Sequence, residues 1–389
     1  MEDKRELIGC LPLFKMAKAG ADLQALAGVL LDRAKRNVNA ANSLMDLSWI
    51  FSITGEEDAA RSTQRLALRL RQAYHLPPPK GASGLRLLAL MSAGEYLANT
   101  PLECLLEGSN ITLDILFLGS DLPFPDRFPE HDLIFTAIRA SDENLQLLKQ
   151  LEDRLADHPG RVVNAPSLLP RLARDKVSAL MQTAPGVVMP VIVRVARENL
   201  EAFLQHQTAF PFLVRAVGAH RGEELVKMDD PASISDCLQK LSASEFFVAS
   251  YVDYRGPDGL FRKYRIVLIE GQPFASHLAI SDHWMVNFIN SHMELSPEKR
   301  AEEAAFMAHF DEDFACRHAV ALSAIHERLG LDYVVLDCAE SSDGRLLLFE
   351  ADASAIVHAN DPVDLFPYKQ PQMRRVFDAF CNMLEHAAR

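Results

Sequence analysis

Cysteine, tryptophan and long apolar runs are scarce in this chain, and each scarcity closes a route. The six cysteines (Cys10, Cys104, Cys237, Cys316, Cys338 and Cys381) are scattered without CxxC spacing, and the thirteen histidines form no HExxH. Such usage excludes a disulfide scaffold or a zinc module and reads as buried thiols in a reducing, cytoplasmic compartment. No apolar run approaches the roughly 20 residues of a membrane span. The acidic start MEDKRELIGCLPLF has too short an apolar stretch for a signal peptide. Basic excess is missing as well: 40 Lys and Arg stand against 53 Asp and Glu, a formal charge of −13. DNA and RNA binding needs basic patches, so no nucleic-acid partner is expected, and no membrane partner either. There is no GxGxxG, and SAGEYLANT is no Walker loop, which removes the common dinucleotide and P-loop fingerprints.

What is present fits a globular protein of two or three domains: 389 residues, 49% hydrophobic and 24% charged. Residues 1–80 read as helix throughout, with apolar residues at three- and four-residue spacing, a break at Gly55 and a stop at Pro77 to Pro79. Leu44, Leu47, Ser48 and Phe51, then Gly55, then Ala60 and Ala67 resemble a single tetratricopeptide unit. A helical cap packed on the next domain is an equal reading, since solenoids need about three repeats. Residues 81–165 alternate short apolar strands (LRLLALM, LDILFLG, HDLIFTAI, RVVN) with helices (PLECLLEG, DENLQLLKQLEDRLADH), the pattern of a doubly wound α/β domain. Residues 166–389 carry the chemistry.

That third zone ends in LDYVVLDCAESSDGRLLLFEADASAIVHA, two apolar runs joined by SSDG. Residues two apart on a strand share a face, so Glu350 and Asp352 point together, and pairing of the runs sets Asp337 opposite them. Three clustered carboxylates repel unless a cation sits among them, and hard oxygen ligands suit Mg²⁺. Three solvated charges on a surface hairpin are the alternative. Upstream, Arg215 sits between apolar neighbours in FLVRA, where a guanidinium without an anion is costly. Lys176 alone reads as a solvated helix lysine, and Arg265 alone as an edge-strand charge.

The joint order of these parts resembles the ATP-grasp superfamily over roughly residues 85–360, particularly the ribosomal-protein glutamate ligase group. VVNAPSLLPRLARDK is similar to that family's strand, Asn and helix with a phosphate-contacting lysine, here Lys176. FLVRAVGAHRG resembles its basic strand and glycine-rich lid loop, which implies nucleotide contacts from Arg215, Gly218, His220 and Gly222. FFVASYVD resembles the adenine hinge, with Ser250, Tyr251 and Asp253. Asp337, Glu350 and Asp352 match the metal ligands, while Arg265 and His277 stand where groups holding the reacting anion are found. The expected fold is α/β: an ATP-grasp domain (residues 166–389, lid about 186–248) behind the α/β domain and the N-terminal helices.

Departures are specific. Arg215 replaces the usual lysine, a planar fork in place of a point charge. GAHRGEEL has only two glycines, so the lid loop is stiffer, and Asp352 replaces the common Asn. The resemblance implies an ATP- and Mg²⁺-dependent carboxylate–amine ligase that forms an amide through an acylphosphate. Its substrates would be small-molecule or peptide carboxylates and amines, with the N-terminal helices offering a peptide or protein contact. A small-molecule kinase on the same fold and a non-catalytic nucleotide-binding scaffold are the alternatives.

Overall fold

The computed structural model describes residues 6–37, 40–81, 84–95, 98–207, 210–219 and 224–389; the side chains of 237, 288 and 289 also lie outside the description. Four helices lead (Cys10–Lys18, Leu23–Arg36, Ala41–Ile53 and Glu57–Leu70). The last two are the pair expected around Gly55, whose φ is +85°. No further such pair follows among the described residues. The pair caps the next domain instead: Met45, Leu47, Ile50, Ala67 and Leu68 share one core cluster with Leu87, Leu88 and Leu90. The first helix is capped from outside its own segment. Half-buried Glu103 accepts from the amides of Cys10 (3.0 Å) and Leu11 (2.9 Å), and Asp46 accepts from Gly9 (3.2 Å). Those amides have no partner within a helix's first turn, so a carboxylate there satisfies them.

Helix does not run through residues 1–80 as expected. β1 (Ala73–Leu76) is already a strand, burying Tyr74 and Leu76 while His75 faces out. Pro77 disfavours helical backbone at the residue before it, and the alternation in AYHL suits a sheet edge. β1 pairs antiparallel with β3 (Thr112–Leu118). With β2 (Arg86–Ser92), β4 (Leu133–Thr136) and β5 (Val162–Val163) they form a five-stranded sheet, order β1-β3-β2-β4-β5, in which β2 to β5 run parallel.

A second sheet of four antiparallel strands has its own small core around Val214, Phe246 and Leu200. It comprises β7 (Ile192–Ala196), β8 (Phe212–Ala216), β9 (Leu225–Met228) and β10 (Glu245–Ser250), after the short β6 (Val187–Val188), in the order β7-β10-β8-β9. The third sheet is the base of the site: β11 (Phe261–Ile269), β12 (Gln272–Ser281), β13 (Tyr333–Glu340) and β14 (Leu346–Asp352), with β6 at its edge, in the order β12-β11-β13-β14-β6. β11 is therefore an inner strand, so Arg265 is not an edge charge.

Fully buried Asn164 locks the first sheet to the third. Its side chain donates to the Tyr333 carbonyl (2.8 Å) and accepts from the Tyr333 amide (3.0 Å), and its own amide reaches Asp332 (2.9 Å). Thr100 adds a bond to the carbonyl of Ala353 at 2.9 Å. Among the described residues no helix is long and apolar enough to cross a membrane.

Candidate active site

Four side chains form one row across the third sheet. In register, His277 on β12 lies opposite Arg265 on β11, Arg265 opposite Asp337 on β13, and Asp337 opposite Glu350 on β14. Residues paired this way project from the same face. Lys263 joins them two residues before Arg265, and Asp352 two residues after Glu350.

Asp337 is the buried centre of this row. Arg265 grips it with Nε on Oδ1 (2.8 Å) and Nη2 on Oδ2 (3.0 Å), and Lys263 Nζ adds a contact at 3.2 Å. Burial alone would push the Asp337 carboxyl up, but Arg265 and Lys263 hold it well below the usual carboxylate range. The remaining arm of Arg265 donates to the carbonyl of Ile356 at 3.0 Å. Glu350 is paired with Arg174, from the helix Arg174–Met181, and feels Arg215 and Lys263 as well. Burial raises it and these cations bring it below its ordinary value against the like charge of Asp337. Asp352 accepts from the amide and hydroxyl of Ser354 (2.8 and 2.6 Å) and faces Arg139, from beyond β4, at 3.4 Å.

Five cations (Arg139, Arg174, Arg215, Lys263 and Arg265) thus face three carboxylates. The surplus of positive charge suits an anionic ligand bearing several charges, such as a chain of phosphates.

The remaining expected residues fall unevenly. Lys176 is exposed, its ammonium 3.6 Å from Asp175, and does not join the row; from the same helix it is Arg174 that reaches Glu350. Arg215 is on β8 with Nη2 on the Ala219 carbonyl (2.9 Å), and Gly218 turns the chain there at a φ of +86°. His220 and Gly222 lie outside the described residues. Ser250 ends β10, while Tyr251 and Asp253 bridge to β11. The Tyr251 ring packs edge-on against Trp284 (5.8 Å) beneath Lys227 (4.6 Å), and burial pushes its hydroxyl up to about 12. Asp253 is tied to Arg255 at 2.6 Å, whose hydrogen bond holds it below its ordinary value.

The expected convergence of Asp337, Glu350 and Asp352 into one Mg²⁺ coordination sphere is not what the structure holds. Among the described residues no three acidic, histidine or cysteine side chains group as metal ligands. The reason is electrostatic: the charge a metal would neutralise is already met, at Asp337 by Arg265 and Lys263, at Glu350 by Arg174. Asp337, Glu350 and Asp352 are the residues whose oxygens would suit a hard cation, and each is held by its own partners, Asp337 by Arg265 and Lys263, Glu350 by Arg174, and Asp352 by Ser354 and Arg139.

No protein-family model matches the chain, and no curated protein matches it. Solved structures do. The chain is similar to the VanG D-Ala:D-Ser ligase of Enterococcus faecalis (12% identity over 78% of this chain and 100% of that one, TM-score 0.49). It is similar to the D-alanine–D-alanine ligase of Coxiella burnetii (10%, 78% and 96%, TM-score 0.48) and to a RimK domain ATP-grasp protein of Sphaerobacter thermophilus (14%, 77% and 99%, TM-score 0.44). The likeness is to ligases and an ATP-grasp protein. It is distant, and none of these TM-scores reaches 0.5.

Proposed function

We propose that the protein is an ATP-grasp-type ligase that joins a carboxylate to an amine through an acylphosphate, consuming ATP. The observation that carries this reading is the row His277–Arg265–Asp337–Glu350 with its surplus of cations. Arg215 and Arg174 take the phosphates, leaving Arg265 at the other end of the row for the acceptor carboxylate, with His277 beside it. The hinge Ser250–Asp253 is the assigned adenine contact. Transfer of the terminal phosphoryl group to the carboxylate gives ADP and an acylphosphate, and the amine then displaces phosphate. What the protein supplies is alignment of two anions that repel, by cations fixed in place before either arrives.

The substrates of this reading are a small-molecule or peptide carboxylate and an amine, with the exposed faces of the N-terminal helices as the surface on which a peptide would extend. A cytoplasmic setting is part of this reading. ADP release over a panel of acids and amines tests the reading: it should require both partners, and hydroxylamine should convert the intermediate to a hydroxamate. Stoichiometric phosphoester without an amine would replace the ligase with a kinase.

A further inference from the structure

We infer that His277, held by Glu303, is the base that takes the proton from the attacking amine, with Glu303 as its positioning residue; this rests on the ligase reading above.

Beyond Arg265 the row runs into a buried polar knot that phosphate binding does not explain. Glu303, on the helix Pro297–Ala308, is fully buried and accepts from His277 Nδ1 (2.6 Å), the Leu278 amide (3.1 Å), the Tyr368 hydroxyl (2.6 Å) and Lys369 Nζ (3.2 Å). Lys369, itself buried, also reaches Asp361 (3.1 Å) and lies 3.1 Å from His277 Nδ1. Burying such charges is costly, and hydrophobic packing would hold the helices as well.

At 2.6 Å from a carboxylate oxygen, Nδ1 carries the proton, since two lone pairs would otherwise oppose each other. Nε2, at the edge away from Glu303, is then the nitrogen left to exchange a proton with a bound group. About a quarter of the side chain is exposed (26%), whereas Glu303 is not at all. On the sheet the register partner of His277 is Arg265. The groups facing the ring are thus Arg265 from β11, Glu303 and, around the last helix, Asp361, Tyr368, Lys369 and His358. Burial would raise Glu303, but His277, Lys369 and Tyr368 bring it down to about 2, so it stays an anion. His358, lowered to about 4 by burial, stays neutral at pH 7.

The step balances without a further reagent. The amine enters as its free base, and its nitrogen attacks the acyl carbon. The new C–N bond forms as the C–O bond to phosphate breaks, and phosphate leaves with the electron pair. The nitrogen's proton passes to Nε2, and the imidazolium, steadied through Nδ1 by Glu303, returns it to water.

The test uses the full chain with N-acetylated amino acids of both hands as carboxylates and either glycinamide or hydroxylamine as nucleophile. Hydroxylamine is a free base at neutral pH and needs little help, so the ratio of amide to hydroxamate reports the base. His277→Asn should lower that ratio by roughly 100-fold or more, within the range of general-base catalysis. Glu303→Gln should lower it by roughly tenfold and move the acid limb of its pH profile, with Glu303→Asp restoring part. Proton NMR should show a far-downfield imidazole N–H that both His277→Asn and Glu303→Gln abolish. An unchanged ratio in His277→Asn, or no such proton in the wild type, overturns the assignment. If the proton is present but no acid yields ADP or hydroxamate, the ligase reading fails and takes the base with it.

Discussion

Replacing Asp337 with Asn separates two roles that a carboxylate at this position can have. The amide keeps the shape and one acceptor, Oδ1, for Arg265 Nε at 2.8 Å. Its NH₂ then faces Arg265 Nη2 and Lys263 Nζ, setting donors against donors where the structure has contacts of 3.0 and 3.2 Å. Breaking a buried ion pair by removing one partner costs about 3–5 kcal/mol. Arg265 and Lys263 are 27% and 25% exposed, so water relieves part of their charge and the expected loss is at the lower end, about 3 kcal/mol. Urea unfolding followed by tryptophan fluorescence measures it. Adding Arg265→Gln should return at least about 1 kcal/mol relative to the sum of the single changes, because the stranded guanidinium is removed with its partner. Nucleotide binding should respond with the opposite sign. With one negative charge gone from the row, AMPPNP in EDTA should bind Asp337→Asn as tightly as wild type or more so. Wild-type stability in the single variant, or a loss of metal-free nucleotide affinity, would refute the cation-pairing role of Asp337.

Three other outcomes follow from the same geometry. Arg174→Gln and Arg215→Gln should each weaken AMPPNP binding by about 1.5–3 kcal/mol in calorimetry, the worth of a charge-assisted contact, and unchanged affinity would place the phosphates elsewhere. Millimolar Mg²⁺ without nucleotide should leave the melting temperature unchanged, since no carboxylate group stands ready for it; a rise would show a preformed site. His358 has its folded pKa lowered from 6.5 to about 4, so the unfolded chain binds the extra proton and stability falls as pH drops across that window. The loss is about 3 kcal/mol at most and grows no further below pH 4, and His358→Gln should flatten this limb in urea titrations; an unaltered limb would count against it.

The hairpin with Asp337, Glu350 and Asp352 and the strand with Arg265 were legible because strand parity alone decides which side chains share a face. Arg174 was not. In RDK, helix geometry turns residues two apart by about 200°, so if Arg174 faces the cleft, Lys176 must face water, and an eight-residue helix offers no apolar stripe strong enough to set that phase. Glu303 was hidden for a related reason: in AEEAAF it reads as one of two solvated glutamates, and only the fold shows that Glu302 meets Arg262 while Glu303 is sealed under His277. β1 was lost to its helical neighbourhood, although Pro77 marked the end. Beyond the reach of sequence lay which cations come to stand beside the carboxylates.

Two β-bulges lie directly on the row of charges, one between Arg265 and Ile266 and one between Asp337 and Cys338. A bulge places two residues against one and so resets which side chains face up on either side of it. Shifting any of these strands by one residue would send its member of the row into the apolar face beneath. The constellation is therefore a property of alignment as much as of residue type. Point substitutions can retune it one member at a time, whereas a single inserted or deleted residue within β11 or β13 dismantles it whole. Insertions in the turns between these strands leave the row intact, and both kinks are part of what holds it.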